Sequence, residues 1–271
     1  MGLISNRLTA AVIGAAALLL SGAATTPGRA GEILQQVISS GTLRVAVMGS
    51  LPPYANLTPG GELEGYDIDI AKGLAAALGV KPQFIIVDSA GRVAALQTHK
   101  ADVTISGFTR NVQRSVTIAF SEPYVIAPGR VMVRADSPLK RMEEMNDPKY
   151  KISMNRGGDS EPSIKAKLPL ATRSLYNTNA DCLNALLSGQ VDAMAQDALY
   201  NAQEMARHPG QMRMLEGEFS RKENAIAMPA GDPDWLRVIN LWVEQFNASG
   251  ENKASFRKWF GTDPLPIQAA Y

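Results

Sequence analysis

Cysteine and histidine are nearly absent from this sequence. Its 271 residues hold one cysteine, Cys182, and two histidines, His99 and His208. A lone thiol cannot form an internal disulfide, and one Cys with two distant His residues gives no metal-ligand spacing. That argues against a structural zinc or a histidine-based catalytic centre. An excess of either charge is missing too: 27 basic residues face 26 acidic ones, for a formal net charge of +1. The basic residues are scattered, so no field gathers nucleic acid. After the first thirty residues no long apolar run occurs, so nothing there reads as a membrane span.

What is present begins with an export signal. Arg7 precedes an apolar run from Leu8 to Leu20, followed by small residues. The run is shorter than the roughly 20 residues a membrane span needs. It fits a secretory signal peptide over residues 1–30, cut after Ala30 or after Ala23. An uncleaved anchor is the alternative reading. No cysteine follows the run to carry a lipid. The mature chain is expected to be soluble and exported to the periplasm.

The remainder alternates strand-like and helix-like pieces, and its 45% hydrophobic content can build a sizeable core. Leu43–Met48 reads as a strand, and the turn-rich 52–61 as a loop. YDIDIAKGLAAALG, from Tyr66, has helical periodicity and ends at a glycine suited to a C-cap. Strands at Gln83–Val87 and Val103–Ser106 flank a short helix at Val93–Thr98. A second alternation runs from Ile152 to Leu215, with a helix over Thr178–Ser188 and another over Ala198–Arg207. Ala225–Met228 reads as a strand, and two amphipathic helices close the chain. The rhythm predicts two α/β units, the second inserted in the first, each a mainly parallel sheet with helices on both faces. Ligands in such sheets bind at the carboxyl ends of strands, here the cleft between the units.

One stretch poses a question of chemistry: ISGFTRNVQR, Ile105–Arg114. An arginine just past a strand-to-helix turn carries five donors and a fixed charge. Either an acid of the protein pairs with it, or it waits for a ligand.

Motifs along the chain bear on this. They are GTLRVAV (Gly41–Val47), PPY (Pro52–Tyr54), GYDIDIAKGLAAALGV (Gly65–Val80) and ALQTHKADV (Ala95–Val103). TRNVQR (Thr109–Arg114), FSEPY (Phe120–Tyr124), LLSGQVDAMAQD (Leu186–Asp197) and KWFG (Lys258–Gly261) follow. In this order the chain resembles the extracytoplasmic solute-binding proteins of ABC importers, in the polar amino-acid branch, family 3. The resemblance covers residues 41–261. It implies the two-lobed type II periplasmic binding protein fold, with lobe 1 at 31–126 and 225–271 and lobe 2 at 127–224. It also implies a monomer that closes on an amino-acid-like ligand without a cofactor and meets an inner-membrane ABC permease transiently.

The resemblance assigns roles. Arg114 would hold the ligand's α-carboxylate, with Thr109 and the Gly107 backbone beside it. Asp197 would hold the α-ammonium. Tyr54, Ser89, Arg92 and Asp159 would shape the side-chain end, with Leu51 as an apolar wall. SAGR, Ser89–Arg92, is similar to the acidic amino-acid binders, though Met48 stands where those carry a further arginine. Asp159 replaces a hydroxyl of the common pattern and suggests the opposite ligand charge. Arg92 and Asp159 are therefore candidates to pair with each other across the cleft, and a neutral polar or weakly charged ligand is the expectation. Asp67 and Asp69 read as favouring the N-terminus of their helix.

Two rival functions stay open. NRGGDSE, Asn155–Glu161, is similar to the loop of cyclohexadienyl dehydratases on this scaffold. Those enzymes place a catalytic glutamate three residues after the position of Asp197, where this chain has Tyr200. A ligand sensor without transport is the other. Cys182 reads as a packing residue, Trp235, Trp242 and Trp259 as anchors of the closing helices, and both histidines as loop or helix-end residues.

Overall fold

Two long antiparallel strands organise this molecule. The computed structural model describes residues 31–267. The signal peptide expected over residues 1–30 therefore lies outside the described residues. The first part of the chain runs α1 (Glu32–Ser40), β1 (Thr42–Val47), β2 (Ser50–Leu51), β3 (Ala55–Leu57), β4 (Leu63–Glu64), α2 (Tyr66–Ala77), β5 (Lys81–Ile86), α3 (Gly91–Gln97), β6 (Val103–Thr104) and α4 (Val112–Ser115). Strand β7 (Ile118–Arg134) then crosses to the second part: β8 (Lys151–Asn155), α5 (Ser160–Lys167), β9 (Thr172–Tyr176), α6 (Asn179–Leu187), β10 (Ala193–Asp197), α7 (Ala198–Arg207) and β11 (Met212–Met214). Strand β12 (Ser220–Pro229) returns, and α8 (Pro233–Ala248) and α9 (Glu251–Phe260) close the fold.

The main sheet has the order β5-β1-β6-β12-β7-β10-β8-β9, with β11 also on β7. Its two wings are parallel: β5-β1-β6 on one side and β10-β8-β9 on the other. The centre is not. β12 with β6 and β7, and β7 with β10 and β11, pair antiparallel. The expectation of mainly parallel sheets thus holds for the wings, and the antiparallel crossing strands make the whole sheet mixed. The sequence-based boundaries at 126/127 and 224/225 fall inside β7 and β12, where Val125 faces Asn224 and Ile126 faces Glu223.

Local chemistry explains several element ends. Helix α2 stops in a Schellman arrangement: Gly79, at φ 69°, donates to Ala76 O at 3.0 Å and Val80 donates to Ala75 O at 2.9 Å. Thr178 caps α6 by accepting from Asp181 N at 3.0 Å. The supposed loop at 52–61 contributes to the small sheet β2-β3-β4, whose strands are too short for a periodic signal. Helix α1 was not apparent as a pattern either. Its first turn is tied down from 200 residues away by Asp232, which also caps α8. One carboxylate oxygen accepts from Gly31 N and Trp235 N, each at 2.9 Å, and the other from Ile33 N at 2.9 Å.

The largest buried cluster joins β1, α2, α8 and α9 around Leu43, Tyr66, Leu74 and Trp235, and continues through α6 and α7 to Cys182 and Tyr200. A second packs Val131, Ile152, Met154, Ile164 and Phe219. The tryptophans anchor as expected. Trp235 Nε1 donates to Asp102 O at 3.2 Å, Trp259 Nε1 to Asp69 Oδ2 at 2.7 Å, and Trp242 stacks on Phe246. No described helix is long and apolar enough to cross a membrane.

Because Asp232 serves two helices, Asp232→Ala should cost more than an ordinary cap, about 2 kcal/mol or more. Urea unfolding with a shift in midpoint and an unchanged slope is the expected outcome. A loss of only a few tenths of a kcal/mol would remove this role.

Candidate functional site

The site is built where strand ends meet helix starts. Seven of the eight candidate residues line one cavity between the lobes: Ser89, Arg92, Gly107, Thr109 and Arg114 from lobe 1, and Asp159 and Asp197 from lobe 2. Tyr54 is the exception: contrary to expectation it does not line the cavity. It lies in the aromatic core, packed edge-on against Phe260 and Tyr66, with no exposed surface. Its hydroxyl stands 3.4 Å from Asp197 Oδ1, and its ring borders Gly107, where a Cβ would meet Tyr54 Cδ1 at 3.8 Å. Leu51 does line the cavity, as does Met48.

Arg114 sits in α4, whose N-cap Asn111 accepts from the Arg114 amide at 2.9 Å. Its guanidinium donates to Thr109 O at 2.6 Å and to Gly157 O at 3.0 Å. Two of its five N–H donors are engaged, and both partners are neutral carbonyls. Arg92 is buried deeper. It donates to Ser89 O and Ser106 O, both at 3.0 Å, and to Ser89 Oγ at 2.6 Å. Burial, and then the neighbouring Arg114, pull its ionisation down to about 9. Both guanidiniums stack on Phe108, 4.4 and 4.6 Å from the ring centroid. A buried aromatic thus positions two cations by their attraction to its π-face.

The Arg92–Asp159 pair does not form. Asp159 is taken by Lys222, a residue of β12 that the sequence did not flag, with Nζ 3.5 Å from Oδ2. Asn111 Nδ2 donates to the other oxygen of Asp159 at 3.1 Å. Lys222 itself is buried, donates to Ser160 Oγ at 3.1 Å, and has its ionisation lowered by that burial. Asp197 caps α7 by accepting from Tyr200 N at 2.9 Å. Desolvation raises its pKa, partly offset by that amide and by Lys222.

The floor of the cavity rests on Asp67. It lies in the first turn of α2, as read from sequence, but its carboxylate does more than favour the helix terminus. One oxygen accepts from Gly107 N at 2.6 Å and the other from the Tyr124 hydroxyl at 2.9 Å. Gly107, at φ 49°, has no room for a side chain, since a Cβ would meet Leu51 Cδ2 at 2.9 Å. Asp69, by contrast, faces outward to Lys258 and Trp259.

The lobes touch across the cleft. Besides Arg114 to Gly157, Asn179 Nδ2 donates to Ser50 O at 3.4 Å. Gly157, at φ 72°, lets its loop approach α3 so closely that a Cβ would stand 3.0 Å from Ala90 Cα. Charges and hydrogen bonds from both lobes therefore converge on a cavity that is closed over.

A family model described as bacterial extracellular solute-binding proteins, family 3, matches residues 43–262. This chain belongs to that family. It is 26% identical over 234 residues to the L-cystine-binding protein TcyJ of Escherichia coli strain K12, covering 85% of this chain and 87% of that one. It is also 26% identical over 230 residues to cyclohexadienyl dehydratase of Pseudomonas aeruginosa, covering 83% and 85% respectively. Among solved structures, the ancestral amino acid-binding protein AncCDT-1, a precursor of cyclohexadienyl dehydratase, superposes with a TM-score of 0.79 at 32% identity. That match covers 84% of this chain and 99% of the ancestral one. The two-lobed type II architecture of the family is the architecture seen here.

Asp67 gives the site a pH signature. Burial first, against the Tyr124 and Gly107 hydrogen bonds, raises its pKa from 3.8 to about 7. Between those values the folded protein holds a proton that the unfolded chain has released. Stability from this group is thus full below about 4 and lost as pH rises to about 7, up to about 4 kcal/mol. Asp67→Asn should flatten the fall in unfolding free energy between pH 4 and 7 by about one proton. Denaturant titrations of both proteins across that range, returning equal slopes, would contradict the assignment.

Proposed function

We propose that this chain is the extracytoplasmic binding component of an ABC importer and that its ligand is a polar α-amino acid or close relative. The observation that carries this reading is the opposition of Arg114 and Asp197 across one cavity, a guanidinium from lobe 1 and a buried carboxylate from lobe 2. A planar guanidinium matches a carboxylate fork, and a charge-assisted pair of that kind is among the stronger contacts available. Arg114 still has three N–H donors to offer such a fork. The ligand's ammonium supplies the countercharge that Asp197 needs. A zwitterion spanning both groups favours the closed arrangement over the open one, which is how ligand occupancy becomes a shape that a membrane permease reads. On this reading lobe 1 comprises residues 31–126 and 225–271, lobe 2 comprises 127–224, and the protein works exported, as a monomer and without a cofactor.

The rival is a dehydratase on the same scaffold, and one relative carries that activity in its name. Tyr200 speaks against it. It stands where the resemblance places the enzyme's glutamate, is 2% exposed, and has its phenol pushed well above the ordinary range by burial. A phenol so held does not donate a proton at neutral pH. We infer binding without turnover.

Arg114→Ala tests the reading. Isothermal titration of protein freed of ligand by unfolding and refolding should show amino-acid affinity lost by roughly 30-fold or more, since truncating one member of a buried charged pair costs about 2–5 kcal/mol. The far-ultraviolet circular dichroism should be unchanged. Retained affinity would overturn the carboxylate site. Turnover of prephenate or arogenate by the native protein would overturn the binding function.

A further inference from the structure

The two sides of the cleft are joined by the protein's own groups, and one of those contacts is separable from ligand binding. On the two-lobe binding reading above, on which this inference rests, Arg114 to Gly157 O and the Tyr54 hydroxyl to Asp197 both cross the cleft, but each uses a residue assigned to the ligand. Asn111 Nδ2 to Asp159 Oδ1, at 3.1 Å, crosses it as well. Asn111 does not line the cavity. With Asp159 it borders two surface clefts, one shared with Arg114 and Gly157, the other with Thr109 and Lys222. Their hydrogen bond is therefore a bar between two openings that flank the cavity.

Both ends of the bar are fixed. Asn111 Oδ1 accepts from the Arg114 amide at 2.9 Å as the N-cap of α4, and this turns its NH2 group toward Asp159. The far end is held within lobe 2. Asp159 Oδ2 lies 3.5 Å from Lys222 Nζ and accepts from Ser163 Oγ at 3.3 Å, which leaves Oδ1 to face Asn111. The bond is charge-assisted, because its acceptor is a carboxylate with a cation behind it. An asparagine meets both demands at once: its oxygen caps, and its nitrogen reaches an acid. Serine or aspartate supplies the capping oxygen without the second donor.

We propose that Asn111 is a latch: its hydrogen bond to Asp159, which Lys222 and Ser163 hold in place, stabilises the closed arrangement of the lobes and slows ligand release without touching the ligand. A ligand that binds the closed arrangement gains apparent affinity in proportion to the closed population, so every tenfold lost from closure is a tenfold lost from binding. The bar must open before the cavity does, so the latch acts on dissociation.

The test separates the latch from the cap. Asparagine, aspartate and serine cap a helix about equally well. Asn111→Ser and Asn111→Asp should therefore keep α4 and Arg114 in place, with unchanged far-ultraviolet circular dichroism. They differ at Asp159, where serine gives up the donor and aspartate sets one carboxylate against another. Protein freed of ligand by refolding is titrated with the common L-amino acids and L-cystine, and the one bound most tightly by the native protein is carried to both variants. Asn111→Ser should bind it about tenfold more weakly than the native protein, and Asn111→Asp about tenfold more weakly again. Stopped-flow fluorescence should place the loss in the dissociation rate, with association within a few-fold. Equal affinities in all three proteins reduce Asn111 to a cap and overturn the proposal, as does a loss carried by the association rate. If the native protein binds none of these amino acids, the reading beneath fails, and small-angle X-ray scattering of the three proteins decides the latch separately. A larger radius of gyration in Asn111→Asp supports it, and identical profiles overturn it.

Discussion

The antiparallel pairing of β7 with β12 is the constraint on which the rest depends. The pairing runs from Ser220 opposite Gly129 to Pro229 opposite Ile118, with register shifts at Asn224–Ala225 and Ala225–Ala227. The two strands are the centre of the sheet, and each wing of parallel strands hangs on one end of them. The same strands supply Ala127, Lys222 and Asn224 to the cavity, so the connection between the lobes is also part of its wall. Irregular pairing in mid-strand is where a sheet bends most readily. The shifts begin at Asn224, whose side chain accepts from Thr109 Oγ1 at 3.3 Å. The irregular pairing and the cavity therefore share Asn224.

Burial gives the charges their leverage. In a closed cleft, water no longer screens them, and an unpaired ion costs several times what it would at the surface. The protein meets most of that cost with its own groups. Phe108 holds two guanidiniums against one ring, Lys222 answers Asp159, and the α7 amides meet Asp197. Among the described residues, the buried amide of Asn155 is left unmet in the cavity lining, and Arg130 Nε is left unmet outside it. Pre-arranged donors and acceptors of this kind are paid for in folding stability, and Asp67 records part of that cost in its raised pKa.

How much of this was legible in the sequence follows from what each residue does locally. The helix over Tyr66–Ala77 was plain, because its apolar spacing and its terminal glycine are both local signals. Arg114, Thr109 and Gly107 were legible because they fall in one short motif, and Asp197 because it ends another. Tyr54 was misplaced. Its motif lies beside the cleft, but an aromatic core around Phe256 and Phe260, supplied by the far end of the chain, claims the ring. Lys222 was invisible, since one lysine in a strand has no pattern and its partner is 63 positions away. Asp67 was half legible. The helix start was right, while the bonds to Gly107 and Tyr124 are long-range and leave no periodicity.

The partnership of Lys222 with Asp159 changes how the loop at 155–161 should be read. In sequence, an acid in place of a hydroxyl argues for a cationic ligand, while Arg92 argues for an anionic one, and the two cancel. In three dimensions they are not equivalent. The Asp159 carboxylate has a countercharge in Lys222 and two further contacts, from Asn111 and Ser163, whereas Arg92 donates to neutral oxygens. A residue already neutralised contributes little field to a ligand. The side chain that looked like a determinant of specificity is thus a structural partner for Lys222 of β12.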